Sequence, residues 1–194
     1  GSVRRVTSPR YDWAEPVLLR RRPVLATALV TFALLAWRLG AHADLPAYLY
    51  LAAVGTVLAF VDVALFRLPD RLTLPSYPIM AALLGLAAVF TGQGGTRYLH
   101  ALYGMAAFFL LYAAQWIIVP GQIGLGDVKL AGVLGLALGW LGLGACIAGV
   151  FAIHLLGGLY SLVMLVTRKA TLKSSIPFGP FMLAGTVLAI LLYG

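Results

Sequence analysis

Long apolar stretches separated by short polar ones make up most of this chain. Seven of them span about 23–40, 46–66, 76–92, 98–119, 127–142, 145–167 and 177–193. Most approach the roughly 20 apolar residues that a membrane-crossing helix needs. The fifth stretch is short, and the glycine-rich segment 138–145 is the reason for dividing 127–167 into two helices. The pattern predicts an all-α, polytopic membrane protein with about seven transmembrane helices.

Composition supports this class. Of the 194 residues, 62% are hydrophobic and 10% are charged, with a mean hydropathy of +0.97, whereas soluble domains carry about 25% charged residues. We expect a basic lead over 1–22, with residues 1–2 resembling an expression-tag remnant, followed by one membrane domain over 23–194. The one cysteine, Cys146, leaves no disulfide or cysteine metal site within a single chain.

The formal net charge of +8 indicates topology rather than nucleic-acid binding. Basic residues cluster in the lead, around 67–71, at Lys129 and over 168–173. Cytoplasmic loops are rich in Lys and Arg. Seven crossings therefore predict a cytoplasmic N-terminus, cytoplasmic loops at 67–75, 120–129 and 168–176, and a C-terminus outside. Six crossings would leave a basic cluster on the wrong side.

Two of the few acidic residues fall in apolar surroundings. The acids are Asp12, Glu15, Asp44, Asp62, Asp70 and Asp127. Asp62 lies near the end of the second span, and Asp127 opens the fifth after "GLG". Ionisable groups inside a span indicate function by default. The structural alternatives are that Asp62 pairs with Arg67 or Arg71 as an anchor and that Asp127 is a helix N-cap, with Lys129 extending to the membrane surface.

Taken together, the two aspartates indicate a catalytic pair. With seven crossings, Asp62 ends a helix that reaches the cytoplasm and Asp127 begins one that leaves it, so both lie at similar depth. Two carboxyl groups close together in a poorly solvated site share a proton. One can then act as general base on water and the other as general acid, in an order that the sequence does not assign. Gly124 and Gly126 have no Cβ and would let a backbone, of the protein or of an extended substrate, approach the carboxylate closely.

Other chemistries have weaker support. His100 and His154 lack metal-ligand spacing and are more typical of polar contacts between helices, so we expect no metal or cofactor. A proton- or cation-coupled transporter could use the same aspartates, and an inactive scaffold is a third possibility. The acids lie at one face rather than at the midplane, and no inverted repeat is evident, which disfavours a transporter.

Three segments resemble, in the same order, the hallmark segments of the type IV prepilin peptidases, which are intramembrane aspartyl proteases of the GxGD class. They are "FVDVALFRLPDRLTLP" (60–75), "GLGDVKLAGVLGLALGW" (124–140) and "IPFGPFMLAG" (176–185). The resemblance covers roughly 46–190. The presenilin-type branch also carries GxGD, but "YD" and "PAL" are missing here, which favours the prepilin branch.

The resemblance implies removal of the basic leader of prepilin-like membrane proteins at the cytoplasmic face of the cell membrane. It implies that Asp62 and Asp127 are catalytic. Asp70 matches a further motif position, which we interpret as support, with Asp70 capping the turn after Pro69. The supporting or substrate-proximal positions are Asp70, Gly124, Gly126 and Lys129. The expected partners are prepilin-like substrates and the lipid bilayer, and no nucleic acid; the oligomeric state is left open.

The sequence departs from many family members in one respect. Many of them also N-methylate the new terminus and carry a cytoplasmic insert with paired CxxC motifs between the first spans. No such cysteines occur here, and the connection at 41–45 has five residues. We therefore expect a compact, peptidase-only form. We also expect the substrate to be recognised through its apolar helix, with the basic leader held at the anionic inner leaflet.

Overall fold

The computed structural model describes Ala14 and residues 20–121, 123–168 and 176–194. These residues form seven α-helices and no strands. The helices are α1 (Arg21–Leu39), α2 (Leu45–Leu65), α3 (Asp70–Val89), α4 (Gly94–Ile118), α5 (Leu125–Leu141), α6 (Leu143–Val166) and α7 (Gly179–Tyr193). Within the predicted lead the structure describes Ala14 and the last three residues, 20–22. The rest of the lead and the interior of the predicted loop 168–176 lie outside the described residues.

Five helices are long and apolar enough to cross a membrane by length and composition, namely α1, α2, α3, α4 and α6. The other two, α5 and α7, are shorter, with 17 and 15 residues. The predicted class of an all-α, multi-pass membrane protein is confirmed. Seven crossings and the orientation in the membrane stay predictions.

The predicted loop 67–75 is wrong for most of its length, because α3 begins at Asp70. Pro75 and Pro78 lie inside this helix. Each proline removes one intrahelical hydrogen bond, and membrane helices tolerate this loss because neighbouring groups satisfy the freed backbone. The connection between α2 and α3 is therefore only four residues long, starting with the left-handed Phe66 (φ 51°) and ending with Pro69.

Helix α5 lies at the centre of the bundle. From Leu130 to Trp140 every residue is buried, as expected for a helix that is hydrophobic on all sides. It packs against α3, α4, α6 and α7. At its end, Gly142 adopts φ +108° and separates α5 from α6. This confirms the division predicted from the glycine-rich segment, since a residue with a Cβ rarely adopts that conformation.

Helices α4 and α5 run antiparallel with their backbones in close contact. A Cβ at Gly104 would collide with the carbonyl oxygen of Gly135, and a Cβ at Gly139 with that of His100. Small residues permit such approach between membrane helices. The contact fixes the register of α4 against the helix that carries Asp127.

Candidate functional site

The side chain of Asp62 is anchored by the start of α7. Asp62 lies one turn before the end of α2 and is 5% exposed. Its Oδ2 accepts a hydrogen bond of 2.9 Å from the backbone N–H of Gly179, the first residue of α7. The first amides of a helix have no intrahelical partner and carry a partial positive charge. They suit a carboxylate that is remote from water.

The interpretation of Asp62 as a surface anchor paired with arginine is wrong. Within the described residues the one ion pair joins Lys129 to Asp70, with an N–O distance of 2.7 Å. Neither Arg67 nor Arg71 bonds to Asp62. The partner of Asp62 is a backbone amide 117 residues away in the sequence.

The carboxylate of Asp127 is fixed by the turn that precedes its own helix. Asp127 is the third residue of α5 and is 8% exposed. Its Oδ2 accepts a hydrogen bond of 2.9 Å from the N–H of Gly124, the N-cap residue. Asp127 thus stabilises the helix start from the first turn rather than from the predicted N-cap position, because α5 begins two residues earlier than expected. This role occupies one carboxylate oxygen.

Both aspartates lie at the same end of the bundle, which we call the aspartate end: the end of α2 and the beginnings of α3, α5 and α7. Asp62 and Asp127 interact electrostatically. A Cβ at Gly126 would lie 2.9 Å from Cβ of Leu68, so the connection after α2 packs directly on the start of α5. The ion pair of Lys129 joins the starts of α5 and α3. These contacts hold the two carboxyl-bearing segments together.

The four predicted supporting residues have defined positions. Asp70 is the first residue of α3, and its two carboxylate oxygens accept hydrogen bonds of 2.7 and 2.9 Å from Lys129 Nζ. It binds across to α5 and does not act as the predicted turn cap, and Lys129 is paired rather than simply extended to the surface. At Gly126 a Cβ would crowd Leu68, so close packing requires glycine there. At Gly124 a Cβ would lie 3.4 Å from Asp127 Oδ2, which is an ordinary van der Waals distance. Their proximity to substrate stays a prediction.

Sequence reasoning missed two residues at this end. Gly179 lies within "IPFGPFMLAG", but the motif alone does not say that its N–H reaches Asp62. Tyr112 of α4 is fully buried, interacts electrostatically with Asp127, and has its ring centroid 6.3 Å from that of Phe178. Its only sequence signal is an aromatic residue in an apolar helix, which is common in any membrane protein.

The predicted polar contact between helices is confirmed for His154, whose Nε2 lies 3.2 Å from Gln115 Nε2 and 3.4 Å from its Oε1. His154 is on α6 and Gln115 on α4. Among the described residues, no group of three or more His, Cys, Asp or Glu residues is placed to hold a metal ion.

An apolar groove of about 630 Å³ opens between α1, α2 and α7. Its wall includes Phe60 and Val63, which flank Asp62 closely in sequence, and Pro180, which follows Gly179. The groove therefore ends beside the hydrogen bond that holds Asp62. Its lining is almost entirely hydrocarbon, which suits an apolar helix or a lipid chain rather than a polar solute.

The fold and this site define a multi-pass helical membrane protein of the cell membrane with two buried carboxyl groups held at one end of the bundle. Comparison with known proteins gives the family: residues 48–193 match the model of the type IV leader peptidase family. The chain belongs to this family.

Among its relatives are proteins named prepilin leader peptidase/N-methyltransferase from three bacteria. That of Bacillus subtilis is 32% identical over 173 residues, which cover 87% of this chain and 65% of the relative. Those of Aeromonas salmonicida and Pseudomonas aeruginosa are each 32% identical, covering 75% and 86% of this chain and 48% and 56% of the relatives. The chain thus spans between about half and two thirds of these relatives. No solved structure matches it.

Proposed function

We propose that this protein is an aspartic-type endopeptidase that removes the leader from prepilin-like membrane proteins at the cytoplasmic face, with Asp62 and Asp127 as its catalytic pair. The observation that carries the proposal is the burial and hydrogen bonding of the two carboxyl groups. Both are buried at the aspartate end and interact electrostatically. Each is held through Oδ2 by an amide at a helix start, and within the described residues Oδ1 of each accepts no hydrogen bond.

This arrangement suits hydrolysis by a shared proton. At the start one aspartate is ionised and the other is protonated. The ionised aspartate takes a proton from water as the water oxygen bonds to the peptide carbonyl carbon, while the protonated aspartate gives its proton to the carbonyl oxygen. The resulting diol then returns a proton to the aspartate that acted as the acid, and the aspartate that acted as the base protonates the amide nitrogen as the C–N bond breaks. The pair ends in its starting protonation state, and the order of the two aspartates is not assigned.

The apolar groove between α1, α2 and α7 provides a route for the substrate. Prepilin-like substrates are helical membrane proteins in this proposal, and a helix seated beside Phe60, Val63 and Pro180 would bring its end to Asp62. Arg20 lines the same groove at the start of α1, on the side where a cytoplasmic leader would leave it. The names of the relatives include N-methyltransferase activity; we propose that this chain acts without it, because the connection between α1 and α2 is short and Cys146 lies in α6.

The test is the pair of substitutions Asp62→Asn and Asp127→Asn, assayed by cleavage of a prepilin in detergent or liposomes. Asparagine keeps an oxygen that can accept the Gly179 or Gly124 N–H, so folding should be preserved while proton transfer is lost. We expect each variant to lose more than about 10³-fold in kcat, with no further loss in the double variant, because the pair acts as a unit.

Arg97→Gln, a substitution outside the aspartate end, is the matched control and should cleave normally. Unchanged cleavage by either asparagine variant would reject the catalytic pair. Failure of the unaltered protein to cleave prepilin, together with a proton or cation flux in liposomes that the same substitutions abolish, would favour the transporter.

A further inference from the structure

Tyr112 carries a buried hydroxyl group without a hydrogen-bond partner. Its side chain is 0% exposed, and within the described part of the chain its Oη neither donates nor accepts a hydrogen bond. A buried polar group left unpaired costs about 1–3 kcal/mol, so most are paired. A phenylalanine would fill the same space without this cost. The hydroxyl therefore requires an explanation other than packing.

The register of α4 against α5 places Tyr112 level with Asp127. Gly104 of α4 meets Gly135 of α5 at the closest approach of the two antiparallel helices. Tyr112 is eight residues after Gly104, toward the aspartate end, and Asp127 is eight residues before Gly135, in the same direction. At about 1.5 Å per residue both lie about 12 Å from the glycine contact. Their electrostatic interaction agrees with this placement.

Aromatic neighbours fix the ring of Tyr112 from several sides. Its centroid lies 6.4 Å from that of Phe108, 5.8 Å from that of His154 and 6.3 Å from that of Phe178. Phe178 directly precedes Gly179, whose N–H holds Asp62. The ring thus contacts the start of α7 on one side and approaches Asp127 on another. Its orientation is restricted before any substrate binds, as an efficient hydrogen-bond donor in a catalytic site requires.

From this placement we propose that Tyr112 is a third catalytic residue, whose hydroxyl donates a hydrogen bond to the carbonyl oxygen of the peptide bond under attack. The inference rests on the proposed peptidase function. The hydroxyl keeps its proton throughout and stabilises the partial negative charge on the carbonyl oxygen as water adds, while the acidic carboxyl group transfers its proton to the same oxygen. Because the ring is buried, the scissile peptide reaches it only when the helices at the aspartate end separate to admit the substrate.

The test is Tyr112→Phe, which removes the oxygen atom alone. Loss of one donor to a developing oxyanion typically costs about 10²–10³-fold in kcat, and we expect a loss of that size with KM changed less than about threefold. Because the orphaned group is removed, the melting temperature in detergent should stay the same or rise. Tyr103→Phe, at an exposed position on the same helix, is the control and should match the unaltered protein in both measurements.

A second measurement separates donation to substrate from an effect on the aspartates. A peptide with a hydroxyl-bearing tetrahedral carbon in place of the scissile carbonyl should bind Tyr112→Phe about tenfold or more weakly, while the same peptide with a methylene there should bind both proteins equally. The pH profile of kcat should keep its midpoints. A shifted profile with equal binding of both peptides would overturn the proposal in favour of a bond from Tyr112 to Asp127.

Two further outcomes are distinguishable. Normal cleavage by Tyr112→Phe, with Asp62→Asn and Asp127→Asn inactive, would reject the role of Tyr112 and leave the proposed function intact. Activity of the two asparagine variants would reject the proposed function itself. If Tyr112→Phe lowered the melting temperature together with kcat, the hydroxyl would be structural and the inference would be wrong.

Discussion

Replacing Gly179 by alanine tests whether the position of the Asp62 carboxylate controls activity. A Cβ at residue 179 would lie 2.9 Å from Asp62 Oδ2, 3.2 Å from its Cγ and 3.3 Å from its Cβ. All three atoms are crowded, so rotating the carboxylate does not relieve the contact. Ordinary contact begins at 3.4 Å, so the Asp62 side chain or the start of α7 must move by about 0.5 Å to accept the methyl group.

The expected loss follows from the tolerance of catalytic geometry. A misplacement of about 1 Å can cost about 10²-fold in rate, so we expect Gly179→Ala to lower kcat between about tenfold and 10²-fold. KM should change little, because Gly179 does not line the groove. Overpacking of this kind costs about 1–3 kcal/mol of stability, which should appear as a modest fall in melting temperature.

The assay is prepilin cleavage measured alongside thermal unfolding in the same detergent. Gly158→Ala is the control, because a Cβ there would meet no atom within 4 Å and alanine is favoured over glycine inside a helix by about 1 kcal/mol. It should retain full activity and equal or greater stability. Cleavage by Gly179→Ala within about twofold of the unaltered protein would refute the reasoning that links the Gly179 contact to catalysis.

The ion pair at the aspartate end and the apolar groove can be tested separately. The side chains of Asp70 and Lys129 are 56% and 33% exposed, so Asp70→Asn should cost no more than about 1 kcal/mol in the free energy of unfolding. It should also reduce kcat/KM far less than Asp62→Asn does. A folded but inactive Asp70→Asn variant would contradict the assignment of Asp70 as a supporting residue. Ala59 is half-buried in the groove wall. Ala59→Phe should raise KM for a full-length prepilin about tenfold, equivalent to about 1.4 kcal/mol. The KM for a short soluble peptide with the same cleavage sequence should not change. Ala106→Phe, exposed on α4, is its control, and an unchanged KM at Ala59→Phe would exclude the groove as the substrate route.

The helices could be predicted from sequence because their signal is local. Each apolar stretch contains enough hydrophobic residues to be recognised by itself, and the glycine-rich segment 138–145 predicts the break between two helices that the structure has at Gly142. Reliance on local signals also explains the wrong start predicted for α3. Pro75 is a strong local signal for a helix break, so the sequence predicts a start at 76, whereas the helix begins at Asp70. In a membrane helix, packing and the scarcity of competing water keep the helix intact through it.

The partners of the aspartates could not be predicted because they depend on tertiary contacts. Nothing near Asp62 in sequence indicates that its carboxylate meets Gly179, 117 residues away. The alternatives considered from sequence, Arg67 and Arg71, were local, and the actual partner is a backbone amide, which every non-proline residue has. The position of Tyr112 level with Asp127 likewise depends on the register set by Gly104 and Gly135, which the spacing of glycines does not determine.

The two aspartates are held by the same kind of hydrogen bond at two different helix starts. Each offers one oxygen to a backbone N–H at the start of a helix, where amides lack intrahelical partners: Asp62 to Gly179 at the start of α7, Asp127 to Gly124 before α5. A lysine or arginine in that position would neutralise the carboxylate and favour one fixed protonation state. A neutral amide orients the group while leaving its second oxygen able to take or give a proton, which is the property that a shared-proton mechanism requires. One basic residue at this end, Lys129, binds Asp70 instead, so its charge is directed away from the pair.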